Sequence, residues 1–106
     1  MIKLFISQPM RGKSSAEIKA EREEAILKAK DELCTDDIEV IDSYFEDSAP
    51  SNTNEALYDL GRSLMLLATA DAAFFVRGWD QARGCKIEHT AAIEYGIKTI
   101  CYDARM

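Results

Sequence analysis

Short apolar runs alternate along this chain with longer stretches in which apolar residues return every three or four positions. That alternation divides it into four strands and three helices. Ile2-Lys3-Leu4-Phe5-Ile6 is a mostly apolar run ended by Pro9 and Gly12, and reads as a first strand. Ser14 and Glu17 form a capping-box pattern ahead of a helix reaching about Leu33. In that helix Ile18, Ala25, Ala29 and Leu33 make one stripe, and Lys19, Glu23, Lys28 and Lys30 mark the wet side. Residues 38–42 read as a second strand, and the polar segment 43–54 as a loop. A second helix is expected from about Glu55 to Ala70, with Leu57, Leu60, Leu64 and Leu67 as its buried stripe. Ala72-Ala73-Phe74-Phe75-Val76 is unbroken in its apolarity, as in a strand covered on both faces. A third helix over about Arg83 to Tyr95 stops at Gly96, and Thr99 to Tyr102 forms a last strand.

Strand and helix alternate throughout, so the expected fold is α/β. It is a three-layer, Rossmann/flavodoxin-like domain over residues 1–106, built on a four-stranded parallel sheet. With the strand order 2-1-3-4, the ligand crevice falls at the carboxyl ends of the first and third strands. The loops beside it are Ser7 to Lys13 and Arg77 to Arg83.

Composition narrows the function. With 106 residues the chain fits one domain, and 47% hydrophobic with 30% charged residues describes an ordinary folded protein. A net charge of −6 argues against a nucleic-acid polymer as partner, because phosphate neutralisation supplies most of that affinity. Cys34, Cys85 and Cys101 are widely spaced with no CxxC pair, which points to reduced thiols and away from a disulfide framework or a zinc site. The absence of a basic and apolar leader, and of any apolar run of membrane-spanning length, leads to the expectation of a cytoplasmic protein with no membrane partner.

Among the chemical groups, Glu88 stands out. On a helix it shares a face with Cys85, Ala91 and Ala92, all small or apolar. A carboxylate so placed is poorly solvated, which is costly unless it has a partner or a task. The first loop, Ser7-Gln8-Pro9-Met10-Arg11-Gly12-Lys13-Ser14, leads into a helix N-terminus, where free N–H groups and the cations Arg11 and Lys13 attract anions. It nearly matches a phosphate-binding loop, but Ser7 replaces the first glycine and Pro9 removes an N–H. The simpler reading is that Gly12 and Ser14 turn and cap the helix. Trp79, the single tryptophan, either stacks on a flat ligand or packs down as a hydrophobic plug. Asp80 either caps the third helix or bonds a sugar hydroxyl. His89 points about 100° away from Glu88 on the helix and reads as structural. Asp59 and Ser63 share a face of the second helix that is not its leucine stripe.

The first strand ending in Ser7-Gln8-Pro9-Met10-Arg11-Gly12, the Ala70-Asp71 boundary, and Gly84 four residues before Glu88 together resemble the nucleoside 2-deoxyribosyltransferase-like superfamily. The likeness is greatest to its short members of phage or prophage type, and runs over nearly the whole chain. It implies a homo-oligomer without cofactor or metal that acts on a nucleoside or nucleoside 5′-monophosphate, as an N-glycosidic-bond hydrolase or a deoxyribosyltransferase. Glu88 would be the nucleophile at the anomeric carbon, and Asp59 and Asp80 acid or sugar-binding groups. Ser7, Gln8, Met10, Arg11, Gly12, Lys13, Ser63, Trp79 and Gly84 would contact substrate, with Arg11 and Lys13 on a 5′-phosphate. Ser63 stands where the family usually has an aspartate, and Asp59, one turn earlier, is the available substitute. The alternative is a non-catalytic module of the same fold that sequesters a nucleotide.

Overall fold

The computed structural model describes residues 1–42 and 49–102. In chain order the elements are β1 (Ile2–Ser7), α1 (Ser15–Leu33), β2 (Ile38–Val40), α2 (Glu55–Leu67), β3 (Ala72–Phe75), α3 (Arg83–Glu94) and β4 (Lys98–Cys101), with one 3₁₀ turn at Trp79–Gln81. The four strands form one sheet in the order β2-β1-β3-β4, parallel at every pairing. This is the expected α/β topology, with its reversal between β1 and β3.

The pleat of the two central strands sorts the core into two layers. Leu4 and Ile6 of β1, with Ala72, Phe74 and Val76, face Ala25 and Ala29 of α1. Phe5, with Ala73 and Phe75, faces Leu67 of α2 and Ala92 of α3. Alternate residues of a strand point to opposite faces, so an unbroken apolar run serves both layers at once. The small residues Ala25, Ala29 and Ala92 let the helices lie close on a sheet that carries three phenylalanines.

Local chemistry sets where elements begin and end. Ser14 caps α1, its Oγ accepting the Glu17 N–H at 3.2 Å, and Asn54 caps α2 by accepting the Leu57 N–H at 3.0 Å. Gly96, at φ +75°, turns the chain after α3 as expected. The Asp71 carboxylate accepts the Lys3 N–H at 2.9 Å, and its own N–H donates to the Lys3 carbonyl at 2.9 Å. Asp71 therefore pins β3 to β1 at the amino end of the sheet, far from the carboxyl-end crevice.

Three expectations are corrected. β2 ends at Val40, short of Asp42. α2 ends at Leu67, short of Ala70, where the Thr69 hydroxyl donates to the Leu66 carbonyl at 2.7 Å as the chain turns into β3. Leu57 is 64% exposed, because burial along α2 deepens only from Leu60 towards Leu67. Within the expected loop over 43–54, residues 43–48 lie outside the described residues.

The difference between the two ends of that leucine stripe is measurable. Leu67→Ala is expected to cost about 2–5 kcal/mol in urea unfolding. Leu57→Ala is expected to stay within about 0.5 kcal/mol of the parent protein.

Candidate functional site

The site grows from the parity of β1. Phe5 faces α2 and α3, so Ser7, two residues on, points to the same side, and Gln8 turns towards α1. Ser7 is buried, and its hydroxyl donates to Glu88 Oε1 at 2.7 Å. Gln8 Nε2 donates to the Ile18 carbonyl at 2.8 Å and to Glu21 Oε1 at 3.1 Å, which ties the loop after β1 onto α1.

Glu88 lies on the inner face of α3, beside Cys85 and Ala92, and is only 7% exposed. Burial pushes its carboxyl above the usual glutamate range; the hydroxyls of Ser7 and Ser63, hydrogen-bonded to it, pull the other way. Burial also raises the Cys85 thiol, with the Glu88 charge adding to it and the Ser7 hydrogen bond and Lys13 opposing. At neutral pH Cys85 is accordingly a packed thiol and not a nucleophile.

Glu88 opens onto a cleft of about 380 Å³ at the carboxyl edge of the sheet, within the size range of small-molecule sites. The loop after β1 supplies Gln8, Pro9 and Met10, α2 supplies Ala56, Asp59, Leu60 and Ser63, and the start of α3 supplies Ala82, Gly84 and Cys85. Met10, Asp59, Ser63, Gly84 and Glu88, drawn from three separated stretches of sequence, thus share one hollow. Asp59 also pairs with Arg62, whose guanidinium lies 4.9 Å from the centre of the Tyr58 ring. Pro9, Ala56, Leu60 and Cys85 complete the wall; only the helical spacing of Ala56 and Leu60 with Asp59 and Ser63 signals the α2 members in advance.

Other expected site residues lie elsewhere. The Lys13 ammonium sits 2.9 and 2.8 Å from the two carboxylate oxygens of Glu21, so it is held against α1. Arg11 and Gly12 are exposed and do not line the cleft, and Gly12, at φ +78°, makes the turn that Ser14 then caps. Ser7 is a positioning residue beneath Glu88, not a lining residue. Trp79 is the plug of its two readings: its ring stacks on His89 with centroids 4.3 Å apart and tilts against Phe75 at 5.6 Å. His89 in turn meets Phe75 edge-on at 4.9 Å, which fixes it as a packing residue. Asp80 is exposed in the 3₁₀ turn and does not cap α3, because the cap position is Ala82 and carries no side-chain bond. The two loops touch where Gly78, at φ +91°, faces Pro9 Cγ: a Cβ there would stand 3.7 Å from it.

Among the described residues no group of three or more His, Cys, Asp or Glu is placed to hold a metal ion. All three cysteines are free, and among the described residues no helix is long and apolar enough to cross a membrane.

These features define an α/β protein with an all-parallel sheet and a buried acid at its carboxyl-end cleft. No family model, curated protein or solved structure matches the chain.

The raised Glu88 carboxyl fixes the sign of a stability effect. Between the ordinary value of 4.5 and the raised one, the folded state keeps a proton that the unfolded state releases. Stability therefore falls as pH rises through that window and levels off above it. Glu88→Gln, which keeps an acceptor for Ser7, removes this component. Thermal melts from pH 4 to 8 are expected to show the variant gaining on the parent protein as pH rises. In Ser7→Ala the folded carboxylate loses a donor, so the upper edge of the window moves to higher pH while its lower edge stays put.

Proposed function

We propose that the protein cleaves the N-glycosidic bond of a nucleoside, with Glu88 as nucleophile, by hydrolysis or by transfer of the deoxyribosyl group to a second base. The observation that carries this reading is a single buried carboxylate, steadied by two hydroxyls, at the wall of a cleft of small-molecule size. Leaving of the base develops positive charge at the anomeric carbon, which an adjacent carboxylate stabilises and then captures as a glycosyl ester. The C–N bond breaks with its electron pair going to the base, which takes a proton from solvent or a neighbouring acid. Water or a second base then attacks the ester carbon and releases Glu88. Asp59, ion-paired to Arg62 on the facing helix, suits a role as acceptor for sugar hydroxyls. Resemblance to the nucleoside 2-deoxyribosyltransferase-like superfamily supports the same assignment through Gly84 and Glu88.

The described lining favours an uncharged nucleoside over its 5′-monophosphate. It holds two carboxylates, Asp59 and Glu88, and no cation, since Lys13 is engaged by Glu21 and Arg11 lies outside. A phosphate beside them would be repelled.

A second reading, a nucleotide-sequestering module without catalysis, draws on the Asp59–Arg62 pair. That pair leaves no unpaired second carboxylate in the described cleft to protonate a leaving base.

Incubation with deoxynucleosides and their 5′-monophosphates, followed by chromatography of the free base, separates the readings. Catalysis predicts base release from nucleosides, reduced about a thousand-fold or more in Glu88→Gln. It also predicts a rate that climbs with pH through an inflection above the ordinary glutamate value, as the carboxylate forms. Tight binding without turnover establishes the module, and neither binding nor release refutes both.

A further inference from the structure

The seam between α2 and α3 carries a second hollow, beyond the cleft. Both helices connect strands of one parallel sheet, so both run from its carboxyl edge to its amino edge. Early in the seam Asp59 and Gly84 line the cleft, and at its middle the Ser63 hydroxyl is hydrogen-bonded to Glu88. Ala91 and Tyr95, three and seven residues after Glu88, keep to its side of α3. Past the Ser63–Glu88 contact they join Leu64, Leu67, Ala68 and Ile97 around a hollow of about 440 Å³.

Its chemistry is the opposite of the cleft's. Among the described residues no charged side chain lines it, and its one polar side-chain group is the Tyr95 hydroxyl. The floor reaches the core: Leu67 is 2% exposed and belongs with Phe5, Phe75 and Ala92. Tyr95 is 85% exposed and stands at the rim. Ala68 and Ala91 leave the room, since a larger side chain at either position would fill it. A concave, mostly apolar surface with few polar groups is what small-molecule sites share, and the volume lies in their range. A docking helix needs apolar anchors repeated along several turns of groove. Here the polar Ser63–Glu88 contact bounds the apolar stretch at one end. An ion seated in the hollow would give up its hydration and meet no counter-charge, so the occupant is uncharged.

We propose that this hollow is a second ligand site, for an uncharged and largely apolar small molecule with one polar group to meet the Tyr95 hydroxyl. The site stands whether or not Glu88 is a nucleophile, because no group of the proposed chemistry lines it.

Titration of the intact chain with the uncharged fluorophore N-phenylnaphthylamine, followed by its emission, tests the proposal. Saturable binding at one site per chain is expected, about tenfold or more tighter than that of the anionic anilinonaphthalene sulfonate. Ala68→Phe fills the hollow and is expected to weaken binding about tenfold or more. Its urea midpoint is expected to be unchanged or raised, because Ala68 is exposed at the end of α2. Should that variant fail to fold, Tyr95→Ala removes one wall and carries the same expectation for binding. Ala56→Phe crowds the Glu88 cleft instead and is expected to leave binding unchanged. Binding lost in Ala56→Phe but kept in Ala68→Phe overturns the proposal, as does a preference for the sulfonate or the absence of saturable binding. Sedimentation velocity covers the other occupant: self-association of the parent chain that Ala68→Phe abolishes gives the hollow to a second copy, and overturns the proposal too.

Discussion

The hydrogen bond from Ser7 to Glu88 is the constraint around which the rest is arranged. It joins residues 81 positions apart and exists only if several conditions hold together. β1 must lie next to β3, so that the end of one strand faces the helix that follows the other. The pleat of β1 must turn Ser7, not Gln8, towards that helix. α3 must be phased so that Glu88 points inwards with Cys85 and Ala92. A buried carboxylate with no donor would carry its full desolvation cost, whereas one that accepts hydroxyl donors is tolerable. Ser63 from α2 is the second hydroxyl on the same carboxylate. The acid is thereby gripped from the sheet and from the neighbouring helix, and remains harder to ionise than a surface glutamate.

The loop after β1 shows how charge and function separate. Its cations look like an anion site when read along the sequence, yet Lys13 joins Glu21 and Gln8 in a cluster that fastens the loop to α1. What the loop offers the cleft is Gln8, Pro9 and Met10. The basic residue supports the wall; the acids face the hollow. Such a division follows from the helix directly after the turn, because Glu21 comes within reach of Lys13 only once α1 is formed.

The order of strands was legible because alternating strands and helices leave few ways to wind a parallel sheet, and the apolar run 72–76 demands cover on both faces. Glu88 was legible because residues one turn away on its own helix are small or apolar, a local pattern. Its partner Ser7 was not singled out as such, since pairing across the whole chain is set by tertiary placement. The parity of Leu4 and Ile6 against Phe5 and Ser7 was nonetheless in the sequence to be read. Leu57 misled for the opposite reason: helical periodicity marks which face is apolar and is silent on where along the axis the core begins. Trp79 found its place through aromatic neighbours at positions 75 and 89, contacts that depend on the 3₁₀ turn the periodicity did not reveal.

That aromatic stack has a practical consequence. The chain's only indole lies face to face with the imidazole that immediately follows Glu88, and both rest on the last phenylalanine of the third strand. Its emission is therefore a built-in optical gauge of the helix bearing the acid. A shift of that helix, whether from an arriving molecule or from local opening, changes the colour or yield of the fluorescence with no label attached.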